Sequence, residues 1–86
     1  MISLQDRFEQ AVADSKNLPE RPDSGTLLKL YALFKQASAG DAAGARPPAT
    51  DFVASAKWDA WNALRGTSSN DAMEKYVALI DELKEG

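Results

Sequence analysis

The chain has 86 residues, 44% of them hydrophobic, and its ten Lys and Arg against thirteen Asp and Glu give a formal charge of −3. A chain this short buries little more than ~60% of its unfolded surface, so one domain over residues 1–86 with a single core is predicted. It has neither cysteine nor histidine, which excludes disulfides, thiolate nucleophiles and the commonest metal ligand and general base, and its charge disfavours non-specific binding to nucleic acid or anionic lipid.

The first predicted helix begins near Ser3, whose spacing to Asp6 is typical of a capping pair. Its inward face consists of residues at helical spacing, namely Leu4, Phe8, Ala11, Val12 and Ser15. Segment 17–25 ends this helix because it contains two prolines with turn residues between them. No segment has the pattern of a targeting sequence or a membrane span, so we expect a soluble protein in the cytoplasm.

The second predicted helix begins near Asp23 or Ser24, ends at Gly40 and has an unusually wide apolar arc. At ~100° per residue the arc covers roughly 220° and leaves few positions for solvent. The apolar positions are Leu27, Leu28, Leu30, Tyr31, Leu33, Phe34 and Ala37, and the solvent positions are Lys29, Ala32 and Gln36. A helix packed on one core needs about half this width. The excess therefore requires an explanation.

Two explanations of the wide arc are open. The helix is either buried on two sides, or its edge with Leu27, Leu28 and Tyr31 faces an apolar ligand. Lys35 lies on the same edge, one turn after Tyr31. An apolar strip that ends in a phenol and an ammonium is typical of a site for a ligand with one apolar and one anionic end. Periodicity alone slightly favours the alternative that these are ordinary exposed leucines and a solvated lysine.

A loop from Gly40 to Thr50 precedes the third predicted helix, which Thr50 or Asp51 caps and Gly66 ends. Its inward stripe is Ala54, Trp58, Trp61 and Leu64. Ser68 opens the fourth helix, whose inward residues are Met73, Tyr76, Val77, Ile80 and Leu83. No segment alternates with period two for long enough to form a strand. The sequence thus predicts an all-α protein, a four-helix bundle with two short connections and one longer one.

Catalytic sites have weaker support. Tyr31 and Lys35 match a spacing used in hydride chemistry, but the Gly-rich strand-helix turn of a dinucleotide fold is absent. The carboxylates of Asp81 and Glu82 at the chain end are typical of a solvated face. The two tryptophans are better explained as core residues than as a platform for a base. No metal site or cofactor site is predicted.

Four blocks of sequence resemble the acyl-CoA-binding protein family. They are Tyr-Ala-Leu-Phe-Lys-Gln-Ala-Ser-Ala-Gly-Asp at 31–41, Arg-Pro at 46–47, residues 51–62 with Lys-Trp-Asp-Ala-Trp-Asn at 57–62, and Gly-Thr-Ser at 66–68 followed by Asp-Ala-Met at 71–73 and Tyr76. The resemblance covers nearly the whole chain. It implies an up-down-down-up bundle, in which the long loop joins two parallel helices, and a non-enzymatic carrier of long-chain fatty acyl-CoA esters. No cofactor is expected, and we expect a monomer because a bundle that shields a ligand works as one.

The resemblance also implies site residues. Those implied to contact the CoA part are Lys16, Tyr31, Phe34, Lys35, Lys57 and Tyr76, and those implied to line the acyl-chain channel are Phe8, Ala11, Val12, Leu27 and Leu28. Phe34 stands where the family usually has a second tyrosine, so the loss of one phenolic hydrogen bond is expected to weaken binding by ~1 kcal/mol. Val53 and Ser55 occupy positions that are often basic in the family, which reduces the predicted positive patch.

Two rival classes of function remain at the level of sequence. A helical interaction module without a lipid ligand would cover Leu27, Leu28 and Tyr31 with a partner's amphipathic helix and would not need Lys57 or Tyr76. An enzyme is disfavoured because the chain lacks His, Cys and any pattern of metal ligands.

Overall fold

The computed structural model describes residues 1–85, which form four α-helices. The helices are α1 (Leu4–Asp14), α2 (Ser24–Ala39), α3 (Phe52–Asn62) and α4 (Ser69–Lys84). No β-strand occurs within residues 1–85. The predicted all-α class and the predicted number of helices are confirmed.

Each helix begins at a residue whose side chain accepts a hydrogen bond from the first turn. In α1 the Ser3 hydroxyl accepts from the Asp6 N–H at 3.1 Å, and the Asp6 carboxylate accepts from the Ser3 N–H at 3.3 Å. The caps of α2, α3 and α4 are Asp23, Asp51 and Ser68. The predicted helix starts are confirmed, and α3 uses Asp51 rather than Thr50.

Contacts between helix ends determine the directions of the four helices. The carboxyl ends of α1 and α4 meet where Lys84 Nζ lies 3.1 Å from Asp14 Oδ2, so these helices are parallel. The ends of α2 and α3 meet where Trp61 Nε1 donates to the Gly40 carbonyl at 2.7 Å, so these are also parallel. The start of α4 lies against the end of α2, where the Ser69 hydroxyl donates to the Ala37 carbonyl. The course is therefore up-down-down-up, as predicted.

Helix α2 lies between α3 and α4 and packs against both, while α1 packs against α4. The prediction that Ala32 and Gln36 face solvent is wrong, since they are 2% and 1% exposed. Phe34, placed in the apolar arc, is instead partly exposed. The sequence of α2 alone could not show that neighbouring helices cover it on two sides. Helix α2 is therefore buried on a side outside the predicted apolar arc, while the edge of the arc with Leu27, Leu28 and Tyr31 is only half-buried.

The core lies where α1, α2 and α4 meet, and Ile80 of α4 is fully buried in it. Its members are Phe8, Ala11, Leu30, Leu33, Ala37, Ala72, Tyr76, Val77 and Ile80. The predicted inward faces of α1 and α4 supply most of these residues. The stripe of α3 is only half-buried, and the buried residue of α3 is Ser55. Ser55 is therefore buried and does not lie in an exposed patch. Helix α3 packs on α2 alone.

The loop between α2 and α3 is fastened to the ends of both helices by polar contacts. Asp41 Oδ1 accepts hydrogen bonds from the Gly66 N–H at 2.9 Å and from Gln36 Nε2 at 2.8 Å. Arg46 forms a two-bond pair with Asp59, at 2.7 and 2.8 Å. Gly40 has φ +82°, a conformation that a residue with a Cβ rarely adopts, and its carbonyl accepts the Trp61 bond. These contacts hold α2 and α3 in fixed register.

The stability of the folded protein is expected to depend on the charge of the Asp41 carboxylate, and so to fall in acid. The hydrogen bond from the Gly66 N–H has the largest effect and the one from Gln36 the second largest, and together they hold the pKa of Asp41 below the usual range of a carboxyl group. A lowered folded-state pKa stabilises the folded protein above the unfolded pKa of about 4, and this stabilisation is lost as pH falls through the folded pKa. Asp41→Asn should therefore lower the urea midpoint at pH 7 and have a smaller effect near pH 3.

The control for this experiment is Asp81→Asn, because Asp81 is exposed on α4. It should leave the urea midpoint nearly unchanged at both pH values. An Asp41→Asn effect of equal size at pH 7 and pH 3 would contradict the assignment of charge-dependent stability to Asp41.

Candidate functional site

A groove runs between the amino-terminal halves of α2 and α3 and encloses a cavity of about 660 Å³. Leu27 and Leu28 of α2 form one apolar wall, and Phe52, Val53 and Ala56 of α3 form the other. Both walls come together because α2 and α3 are parallel and their first turns lie at the same end. The groove is therefore mainly apolar, and its size is in the range of small-molecule sites.

Charged and phenolic side chains lie in the same cavity lining. They are Arg21 from the turn before α2, Tyr31 from α2 and Lys57 from α3. The cavity thus combines two cations with extensive apolar surface. This arrangement suits a ligand that has an anionic group attached to an apolar segment.

A smaller cavity of about 280 Å³ adjoins the groove and shares Leu27 and Tyr31 with it. Its other lining residues are Ser15, Leu18, Pro22, Leu30, Phe34 and Tyr76. The structure therefore brings together the three aromatic residues predicted for the CoA part, from α2 and α4. It places Leu27 and Leu28, predicted for the acyl chain, in the adjoining groove.

Two lysines lie against aromatic rings across the contact of α2 with α3. Lys57 Nζ of α3 lies 5.2 Å from the centre of the Tyr31 ring, and Lys35 Nζ of α2 lies 4.8 Å from that of Trp61. Tyr31 precedes Lys35 by four residues, whereas Lys57 precedes Trp61 by four. Because the helices are parallel, this reversed order puts an aromatic ring opposite each lysine.

Among residues 1–85, no carboxylate forms an ion pair with either of these lysines. The ion pairs among residues 1–85 join Arg46 to Asp59, Arg65 to Asp41 and Lys84 to Asp14. Cations beside an apolar wall, where the local dielectric is low, attract an anion more strongly than solvated ones. Lys57, which lines the groove, and Lys35, which lies one turn after Tyr31, are therefore candidates for binding an anionic group.

An aromatic cluster lies behind the smaller cavity. The Phe8 ring stacks on Phe34, with centroids 5.9 Å apart, and meets Tyr76 edge to face at 5.2 Å. Tyr76 is otherwise buried, so only part of its ring lines the cavity. The cluster fixes the orientation of the Phe34 and Tyr76 rings.

The structure does not bring Phe8, Ala11 and Val12 into the lining of either cavity. Phe8 and Ala11 are each 4% exposed and belong to the core, and Val12 packs partly buried against it. Their predicted contact with an acyl chain stays a prediction. Their direct role in the structure is to support the aromatic cluster from α1.

Lys16 lies exposed in the turn after α1, next to Ser15 of the smaller cavity. Sequence reasoning missed Arg21, which lines the groove from the turn before α2. A signal for it existed, since Arg21 lies between two prolines shortly before the edge with Leu27 and Leu28. Sequence reasoning also missed Phe52 and Val53 as groove residues, because the residues that complete the groove are on another helix.

The structure was also searched for metal sites and for membrane-spanning helices. Within residues 1–85, no group of three carboxylates is placed to hold a metal ion. None of the helices in that range is both long enough and apolar enough to cross a membrane.

Comparison with known proteins gives one consistent family. The model of the family described as "Acyl CoA binding protein" matches residues 5–80. A protein of Manduca sexta named as an acyl-CoA-binding protein homolog is 48% identical over 83 residues, which is 95% of this chain and 92% of that protein. An acyl-CoA-binding protein of Dictyostelium discoideum is 46% identical over 76 residues, 88% of this chain and 90% of that protein.

The fold shows the same similarity. The crystal structure of Oryza sativa acyl-CoA-binding protein 2 superimposes with a TM-score of 0.92 at 36% identity, over 96% of this chain and 92% of that one. A crystal structure of the corresponding protein from Moniliophthora perniciosa gives a TM-score of 0.86 at 38% identity, over 92% of this chain and 78% of that one.

Proposed function

The chain belongs to the acyl-CoA-binding protein family, and from this membership we propose that it binds long-chain fatty acyl-CoA esters and serves as an intracellular carrier and pool of them. The observation that carries the proposal is the apolar groove of about 660 Å³ with the cations Arg21 and Lys57 in its lining. Lys35 lies one turn after Tyr31, which also lines the groove. An acyl-CoA ester has phosphates for the cations and a hydrocarbon chain for the groove.

The two parts of the ligand fit two parts of the site. The nucleotide part lies near Tyr31, Lys35, Lys57 and Tyr76, where aromatic rings offer stacking surface and the lysines offer charge-assisted hydrogen bonds to phosphate. Phe34 contributes its ring and Lys16 a more distant positive charge. The acyl chain lies along Leu27 and Leu28, whose burial supplies the hydrophobic part of the affinity.

The proposed function also has consequences for the oligomeric state, the location in the cell and the chemistry of the protein. The protein acts as one domain and a monomer in the cytoplasm, without a cofactor, because shielding a ligand in a single groove needs no second subunit. It is non-catalytic, and the acyl-CoA thioester leaves unchanged. A brief assay for release of free CoA would reveal hydrolysis if the protein were a thioesterase.

The rival function, a helical interaction module without a lipid ligand, is not favoured by the family. It also gives no role to the two unneutralised lysines, since an amphipathic partner helix could cover Leu27 and Leu28 without them.

Native mass spectrometry of the purified 9.3 kDa protein tests the proposal directly. We expect a second species that is heavier by the mass of one fatty acyl-CoA, either as purified or after addition of a sixteen-carbon ester. Collisional release should return the protein and an intact thioester. A spectrum that contains unliganded protein alone after this addition would contradict the proposed function.

A further inference from the structure

A second large cavity, of about 550 Å³, lies between α3 and α4 and has α2 as its floor. Helices α3 and α4 both pack on α2, and neither packs on the other, so a gap separates them above α2. Ala32 and Leu33 of the floor are each 2% exposed, so the cavity reaches down to the core. Leu28 is the residue that its lining shares with the groove between α2 and α3. The cavity therefore lies on a different face of α2, and the proposed carrier function does not use it.

The walls of this cavity are mainly apolar and only half-buried. Leu28, Leu64 and Leu79 come from three different helices, and each keeps part of its side chain exposed. Small side chains from the same three helices complete the lining, namely Ala32, Ala60 and Ala78. A ligand that covered the leucines would remove apolar surface from water, and this removal favours binding.

Three charged side chains also line the cavity, Lys29 of α2 and Lys75 and Glu82 of α4. Within residues 1–85, none of the ion pairs includes any of them. Helices α2 and α4 are antiparallel, with Ser69 in contact with Ala37. Counted from this contact at 1.5 Å per residue, Lys29 and Lys75 lie within about 3 Å of each other along the axis, and Glu82 lies about 8 Å beyond Lys29. The cavity thus has a positive part and a negative end.

The size of the cavity distinguishes between two kinds of occupant. Its floor runs from Gly25 to Leu33, a length of about 12 Å along the helix axis. A partner helix of that length and of ordinary diameter would occupy roughly 1,000 Å³, so about half of it would lie outside the cavity. A hydrocarbon chain is much narrower, and the volume of this cavity lies within the range of small-molecule sites. The dimensions therefore favour a small ligand with an apolar chain over a partner helix.

We propose that this cavity is a second binding site, for a small amphiphile with one carboxylate and one apolar chain, such as a medium-chain fatty acid. The apolar chain lies on Ala32 and Leu33 between α3 and α4. The carboxylate lies beside Lys75 and away from Glu82. A single negative charge matches a lining with two cations and one anion. This site goes beyond the proposed function, because its ligand has no nucleotide and does not enter the groove between α2 and α3.

The test is a titration with sodium decanoate, after the protein has been saturated with the sixteen-carbon acyl-CoA ester so that the groove is occupied. Proton–nitrogen correlation spectra follow each backbone amide. We expect the amide signals of Ala32, Ala60 and Ala78 to shift until they saturate, while the signal of Leu27 in the groove stays in place. Decyltrimethylammonium has the same chain with a positive head group, and it should leave the three alanine signals unchanged. The same titration without the ester should shift the same three signals.

Three substitutions in the cavity should change the affinity for decanoate in different directions. Lys75→Ala should weaken binding about five-fold, because it removes a charge-assisted contact with the carboxylate. Glu82→Gln should tighten binding about two-fold, because it removes a like charge. Ala78→Trp should abolish binding, because the indole ring fills the cavity. Ala78 is exposed on α4, so the larger side chain should leave the thermal midpoint of the protein nearly unchanged.

Arg7→Ala is the matched control, because Arg7 is an exposed cation of α1 outside the lining of this cavity. It should leave the affinity for decanoate within about two-fold of the unmodified protein. Equal binding of decanoate and decyltrimethylammonium, or unchanged decanoate affinity in Lys75→Ala and Ala78→Trp, would overturn the second site. All four variants should bind the sixteen-carbon ester like the unmodified protein, since none of the substituted residues lines the groove. If the unmodified protein failed to bind that ester, the proposed function would be overturned, and the titration without the ester would still test the second site.

Discussion

Lengthening the acyl chain of the ligand by two carbons is expected to tighten binding roughly ten-fold, until the chain fills the groove. Each methylene group that leaves water contributes ~0.8 kcal/mol, so two contribute enough for about one order of magnitude in affinity. Over the range from free CoA to a sixteen-carbon ester, the gain should exceed a thousand-fold. Titration calorimetry over a series of even-numbered esters measures each step.

The free fatty acid of sixteen carbons is the control for the chain alone. It has the same hydrocarbon but only one carboxylate, so it forgoes the phosphate contacts with Lys35 and Lys57. We expect it to bind much more weakly than the corresponding ester. If free CoA and the sixteen-carbon ester bound equally well, the groove between α2 and α3 would have no part in ligand binding.

Lys35→Ala and Lys57→Ala are each expected to reduce affinity for a long-chain ester by ~1–3 kcal/mol, or about five-fold to 150-fold. Each substitution removes a charge-assisted hydrogen bond to phosphate at the edge of an apolar groove, where such bonds are strong. Each lysine lies over an aromatic ring and outside the core, so little stability should be lost. Calorimetric titration and thermal unfolding of the same preparations separate the two effects.

Lys29→Ala is the matched control, since Lys29 is an exposed lysine of α2 that lies outside the lining of the groove. It should leave affinity within about two-fold of the unmodified protein. Raising the salt concentration should narrow the difference between Lys57→Ala and the unmodified protein, because salt screens exposed charges. Titration curves that match the unmodified protein for both Lys35→Ala and Lys57→Ala would remove these residues from the binding site.

The tyrosines should matter less than the lysines. Tyr31→Phe and Tyr76→Phe each delete one neutral hydroxyl group and keep the ring that packs in the cavity, so each should cost less than either alanine substitution.

The limits of sequence reasoning are clear at α2. Its period of hydrophobicity predicted the helix and its capped start correctly, because a cap and a helical repeat involve residues three or four apart. The same period gave the wrong environment for Ala32 and Gln36, which are buried. Gln36 donates to the Thr67 carbonyl, and Ala32 lines a cavity with residues of α3 and α4, so their burial involves residues far away in the chain.

Some residues of the candidate site were likewise predicted from the sequence, and others were found only in the structure. Lys35 and Lys57 were predicted from the family pattern, yet their reciprocal contacts with Trp61 and Tyr31 depend on the parallel packing of two helices. The position of Arg21 between two prolines was the only sequence signal for it, and Phe52 gave none, because nothing local shows that the two residues line one cavity.

The amino-acid sequence by itself determined the four helices, their caps, the family and the types of side chain that a ligand would meet. These properties depend on local backbone hydrogen bonds and on side chains close together in the chain. The tertiary structure alone decided which face of α2 is buried, which residues share the groove, and why Phe52 and Val53 remain exposed. These properties depend on the register between helices, which the packing of side chains distant in sequence sets.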